Sequence, residues 1–150
     1  MYTVVPRLLT MINELTNWYI RFNRRRLKGE NGAEDTLSAL NALFETLLTL
    51  CLTMSPFTPF ITENLYQGLR KFMPPHNTEG DIRSVHFLPF PSVKAEYLDP
   101  VIQRRFSALQ SVIELGRAMR EKKNLPLRVP LRVLTVFHSD AQYLEDVRSL

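Results

Sequence analysis

Apolar residues recur at spacings of three and four along most of the chain, the period of helices with one buried face. Val4, Leu8, Ile12, Leu15, Tyr19 and Phe22 share one such face and predict a helix over 3–28. Pro6 falls in its first turn, where a missing N–H does no harm, and Gly29 with Asn31-Gly32 supplies a stop and a turn. A second helix is expected from Asp35 or Thr36 to Met54. Its stripe is Leu37, Leu40, Phe44, Leu47 and Cys51, widened by Leu43, Leu48, Leu50 and Leu52 into the surface of a central helix. Ser55-Pro56 breaks it, because proline disfavours helix in the residue before it. Thr58 and Pro59 then suit the cap and first position of a third helix reaching about Phe72, with Ile61, Leu65 and Leu69 inward and Pro74-Pro75 beyond its end.

The pattern dissolves over 74–98, where Asn77, Gly80, Asp81, Pro89 and Pro91 mark a long loop with a short extended piece at Ser84-Val85-His86-Phe87. A fourth helix is expected over 99–123, capped by Asp99 with Pro100 first. Its apolar face holds Val101, Phe106 or Ile102, Leu109, Val112 or Ile113, and Met119. Residues 131–137, Leu-Arg-Val-Leu-Thr-Val-Phe, are rich in β-branched types and read as a strand. One strand cannot satisfy its own backbone, so it either pairs outside this sequence or is no strand. Ser139-Asp140 caps a last helix. The expected fold is mainly α: an antiparallel helical bundle followed by the start of an α/β piece.

Composition narrows the class. With 45% hydrophobic residues, 23% charged and nine Phe, five Tyr and one Trp, a packed core is available and wholesale disorder is excluded. A single cysteine, Cys51, excludes an intramolecular disulfide framework and reads as a small core residue. No apolar run is seen to reach the ~18 residues of a membrane span, and no signal-peptide order opens the chain. These features predict a soluble, intracellular protein with no membrane partner.

Charge changes the picture more. The net +4 divides into +4 over 1–30, −4 over 31–100, +6 over 101–135 and −2 over 136–150. Two basic segments flank an acidic centre, the footprint of a polyanion surface if they meet in space. In the first, Arg21, Arg24, Arg25 and Lys28 lie at i, i+3, i+4 and i+7 and share a helical face with Asn17, while Trp18 borders it. Cations, an amide and an aromatic edge suit phosphate contacts and stacking with unpaired bases. Arg26 points nearer the apolar side and needs a partner. The competing reading is a solvated cationic helix end that favours the helix dipole. The second segment offers Arg117, Arg120 and Arg128 as phosphate ligands, or simply a charged helix end.

Catalytic chemistry is not indicated. His76, His86 and His138 stand far apart without metal-ligand spacing, and the five glycines form no phosphate loop. Glu34-Asp35 and Glu79-Gly-Asp81 read as a helix start and a loop. No catalytic residue and no metal ligand is predicted.

The block Leu15–Glu30, Leu-Thr-Asn-Trp-Tyr-Ile-Arg-Phe-Asn-Arg-Arg-Arg-Leu-Lys-Gly-Glu, closely resembles isoleucyl-tRNA synthetases of the eukaryotic cytoplasmic type. Met54-Ser-Pro-Phe-Thr-Pro-Phe-Ile-Thr-Glu63 is similar to a junction shared more widely among class I synthetases. Ser84-Val-His86, Gln110–Arg117 with Arg120, and Arg128-x-Pro130-Leu131 follow in the family's order. The resemblance covers nearly all of the chain. It departs at Phe87-Leu-Pro-Phe-Pro91, where many relatives end in a hydrophobic-tryptophan-proline run.

The resemblance implies an anticodon-binding helical bundle with a connector over 1–98, then a last bundle helix and the start of a C-terminal α/β junction over 99–150. The activity it implies for the enzyme is ATP-dependent joining of isoleucine to its tRNA. The family's His-x-Gly-His and Lys-Met-Ser-Lys-Ser motifs are absent, so the chain is expected to be an interior, non-catalytic piece. No cofactor is expected here, ATP and Mg being implied for the full enzyme. Its expected partners are isoleucine-accepting tRNA, the rest of the synthetase chain and a multi-synthetase complex, in the cytoplasm. On this reading Arg21, Arg24, Arg25 and Lys28 contact the anticodon stem backbone, with Asn17 and Trp18 near the loop. Arg117, Arg120 and Arg128 form a second group. A helical protein–protein module and the equivalent domain of a valine enzyme are the alternatives.

Overall fold

In the computed structural model, which describes residues 2–73 and 80–149, helix α1 (Val4–Glu14) runs directly into a wide π-helical turn over Leu15–Ile20. Such a turn fits one extra residue into the helix and rotates everything beyond it relative to a 3.6-residue period. The inward stripe therefore steps from Tyr19 to Asn23, which is half-buried and donates its side-chain amide to the Tyr19 carbonyl at 2.9 Å. Phe22, expected inside, is 57% exposed. Asn23 leaves helical geometry before a short α2 (Arg24–Leu27), so the single helix expected over 3–28 is two, joined by a rephased turn.

Gly29 ends α2 with φ +86°, a left-handed conformation that glycine adopts without strain. Glu30 N–H donates to the Arg25 carbonyl and Gly29 N–H to that of Arg26, both at 3.1 Å. These two bonds, with that of Lys28 N–H to the Arg25 carbonyl at 3.2 Å, satisfy carbonyls at the helix end.

Helix α3 (Ala33–Met54) starts two residues before the earliest expected position, with Glu34 and Asp35 in its first turn, where the helix dipole favours carboxylates. By length and composition alone it is apolar enough to cross a membrane, which corrects the expectation that no run reaches that size. In this fold it supplies Cys51 and half-buried Leu48 and Leu52 to a core shared with Tyr66 and Val85, bordered by Leu69, Met73 and Leu88. Burial raises the Cys51 thiol pKa, as befits a small core residue.

Helix α4 (Pro59–Leu69) and a 3-10 turn (Arg70–Phe72) follow as expected, although the Thr58 hydroxyl makes no cap bond and donates back to the Met54 carbonyl at 3.4 Å. Its inward row is Thr62, Tyr66 and Leu69, whereas Ile61 and Leu65 are 59% and 52% exposed. The row is set by Tyr66, whose ring is fully buried and whose hydroxyl donates to the Ile82 carbonyl at 2.8 Å. The extended piece expected over 84–87 is instead a 3-10 turn, Val85–Phe87. Glu63 explains it: one carboxylate oxygen accepts from Ser84 Oγ at 2.8 Å and from Val85 N–H at 2.9 Å. Pro74-Pro75, His76, Asn77 and Glu79 lie outside the described residues.

A second compact unit begins at Val93. After a 3-10 turn (Ala95–Tyr97), α5 (Pro100–Lys122) opens with Asp99 Oδ1 accepting from Val101 and Ile102 N–H at 2.8 and 3.1 Å. Val112 faces inward as expected, with Ala108 beside it, but Val101, Ile102, Phe106 and Met119 are exposed. The small Ala108 lets α6 (Ala141–Arg148) approach closely, so that Tyr143 Oη donates to the Ala108 carbonyl at 3.1 Å. Asp140 caps α6 through Gln142 N–H at 2.9 Å. Residues 133–138 are irregular, and among the described residues no strand pairs with them. The strand expected over 131–137 is thereby corrected, for want of a partner.

Candidate nucleic-acid interface

The first basic cluster is oriented by the one arginine that does not belong to it. Arg26 Nε and Nη2 grip the Asp35 carboxylate at 2.6–3.0 Å, and Nη1 donates to Asn23 Oδ1 at 2.9 Å. The partner required by its position is thus found on the first turn of α3. Hydrogen bonding from Arg26 holds the Asp35 carboxyl below its ordinary pKa, with burial opposing and Asn31 assisting. The same bond raises Arg26. Thr36 Oγ1 donates to the Arg26 carbonyl at 2.9 Å, and Tyr19 Oη donates to the Ala39 carbonyl at the same distance. Four side chains therefore pin the segment 19–26 to α3.

With that face fixed, Arg21, Arg24, Arg25 and Lys28 are all exposed. Arg25 pairs with Glu30 at 2.7 Å across an open surface, a contact of the kind that contributes little and is readily exchanged. Among the described residues, Arg21, Arg24 and Lys28 form no ion pair. Asn17 is exposed on the π turn, its amide donating to Asn13 Oδ1. Asn13 was not singled out by the sequence, although its i, i+4 spacing to Asn17 is that of neighbours on a helix surface. Trp18, expected at the border of the face, is 7% exposed and lies against Phe22. The rephased turn takes the indole inside and leaves Phe22 as the exposed aromatic.

The second cluster lies in the other unit and is differently built. Arg120 Nη2 donates to the Pro126 and Val129 carbonyls, which fastens a turn closed by Val129 N–H on Pro126 O at 3.0 Å. Arg128 sits exposed on that turn, and Arg117 is half-buried on α5. Arg120 is thus occupied in shaping the surface that presents Arg128.

Among the described residues no group of three or more His, Cys, Asp or Glu side chains is placed to hold a metal ion. The His86 backbone N–H donates to Ser84 Oγ at 3.3 Å, and the His138 ring stacks on Tyr143 with centroids 4.0 Å apart. The His138 ring is thus engaged in a local structural contact.

A family model described as the anticodon-binding domain of tRNA ligase matches residues 1–135. The chain is 56% identical over 150 residues to the cytoplasmic isoleucine–tRNA ligase of Schizosaccharomyces pombe, covering 100% of this chain and 14% of that protein. It is 55% identical over 155 residues to the cytoplasmic isoleucine–tRNA ligase of Saccharomyces cerevisiae, with 100% and 14% covered. With that of Mus musculus it shares 49% over 151 residues, with 100% and 12% covered. The chain thus spans about one-seventh of the length of these relatives.

Proposed function

Because the chain belongs to the anticodon-binding domain family of tRNA ligases, we propose that it binds the anticodon arm of an isoleucine-accepting tRNA as part of an isoleucine–tRNA ligase. The ligase it would serve joins isoleucine to tRNA using ATP and Mg in the cytoplasm. The remainder of that ligase, and a multi-synthetase assembly, are its protein partners. In this reading residues 1–98 form the RNA-binding bundle with its connector, and 99–150 carry a second, smaller contact surface. The chain's own work is positioning. Phosphate contacts fix where a nucleic acid sits without reading its sequence, and a tRNA gripped at one end presents its other end in a set place.

The observation that carries this reading is the row Arg21, Arg24, Arg25 and Lys28, exposed on a segment whose inner face is locked by the Arg26–Asp35 grip. With the backbone already fixed, meeting phosphates costs these cations side-chain freedom alone. Asn17 extends the row toward the loop, and Arg128, on the turn that Arg120 fastens beside Arg117, adds a second group.

The test is binding of an anticodon-arm hairpin by the chain with Arg21, Arg24 and Arg25 all replaced by Glu. We expect a large loss of affinity at low salt and a salt slope shallower by roughly 2 to 3, since each phosphate contact contributes about 0.7–0.9. Unchanged binding would overturn the reading. Equal binding of the original chain to a non-specific acidic polymer would favour a module for acidic partners instead.

A further inference from the structure

Trp18 and Phe22 stack with ring centroids 5.4 Å apart and planes 7° from parallel. One ring is inside and the other outside, at 7% and 57% exposure. Phe22 therefore has one face backed by an indole, and among the described residues it meets no second ring. Arg21 and Arg25, one residue before it and three after, are exposed cations. The side chain of Phe22 is a flat apolar plate, backed by an indole, on a segment that also exposes Arg21 and Arg25.

That combination discriminates between partners. A protein surface apolar enough to cover Phe22 would also have to accommodate the exposed cations of the same segment. A paired RNA stem satisfies the cations and leaves the ring in water, because its bases are stacked on one another. Unpaired RNA satisfies both, with a base on the ring and phosphates on the guanidinium groups. We propose that Phe22 stacks against an unpaired base of the RNA loop, with Trp18 fixing the plane of its ring and Arg21 and Arg25 holding the phosphates on either side. This role deepens the proposed anticodon-arm binding and rests on it. It replaces Trp18, the aromatic singled out by the sequence, with its neighbour one helical turn on.

The experiment compares the chain with its Phe22→Leu, Phe22→Ala and Phe22→Tyr variants. Two RNA probes are used: an anticodon-arm hairpin carrying 2-aminopurine in the loop, and the same stem as a blunt duplex without a loop. Loss of one base–aromatic stack predicts hairpin binding weaker by on the order of 5- to 150-fold for Leu and Ala. The duplex should be bound equally by all four proteins. Tyr should restore both affinity and the quenching of 2-aminopurine, and the salt slope should stay constant across the set, since no charge has changed. Leu keeps an apolar contact with Trp18, and thermal melts identify any variant that fails to fold. Hairpin binding by Leu and Ala equal to that of the original chain overturns the stacking role while leaving RNA binding intact. No binding of either RNA by the original chain overturns the anticodon-arm reading itself.

Discussion

Tyr66 has its whole side chain out of water, yet its hydroxyl meets the Ile82 carbonyl at 2.8 Å. Burial raises the phenol pKa, so the group stays a neutral donor. Tyr66→Phe keeps the ring and leaves a carbonyl without its partner, a change expected to cost about 1–2 kcal/mol in urea melts. An unchanged melt would remove Tyr66 from its role as the fastener of the connector. The sequence placed Ile61 and Leu65 inward on apolarity alone, because amphipathic residues such as Tyr66 and Thr62 fit either side of a helix. What decides is a backbone carbonyl sixteen residues away, which no local pattern encodes. Trp18 and Phe22 exchange places for a related reason: both are aromatic, and one extra residue in a helical turn settles which is buried.

Helix ends were far more legible than helix faces. Asp99-Pro100 and Asp140 cap where their chemistry says they should, since a cap needs only a side chain and the two or three residues after it. The C-terminal ends repeat one device. Asn124, at φ +53°, closes α5 as Gly29 closes α2, with Leu125 N–H donating to the Arg120 carbonyl at 2.9 Å. Gly29→Ala tests it cleanly. A methyl group there would come no nearer than 3.9 Å, to Thr36 Oγ1, so the penalty is backbone strain of about 1–2 kcal/mol. It should appear in thermal melts, and Asn124→Gly should be neutral or slightly stabilising. The π turn over 15–20 had no such signature: Leu-Thr-Asn-Trp-Tyr-Ile suits an ordinary helix equally well. The expected cationic face survived it because long charged side chains remain in solvent across a modest change of phase.

At the scale of the molecule, each of the two units holds one of the basic clusters and its own long-range fastening. In the second unit that fastening is Asp146, which is 2% exposed and accepts from Arg104 Nε at 2.7 Å and Nη2 at 3.0 Å, 42 residues away in sequence. Hydrogen bonding from Arg104, assisted by Gln142 and opposed by burial, lowers its carboxyl from 3.8 to about 2. A carboxyl with a depressed folded pKa stabilises the fold fully above its unfolded pKa and loses that contribution as pH falls through the folded one. The packing of α6 on α5 should therefore weaken between about pH 4 and about 2. Asp146→Asn should lower the melting temperature at neutral pH and flatten this acid dependence; a variant with the original acid profile would show that the carboxylate does not hold α6.

Sequence by itself determined that the chain is helical, where most of its helices start and stop, and which cations share a face, because those properties depend on residues a few positions apart. It also carried a family signature along nearly its whole length. Only the tertiary structure decided that Arg26 is a grip and the arginines around it an open surface, that Phe22 and not Trp18 meets solvent, and that residues 133–138 find no strand here. Each of those outcomes depends on a partner distant in sequence or on one residue of helical phase, and hydrophobic spacing records neither.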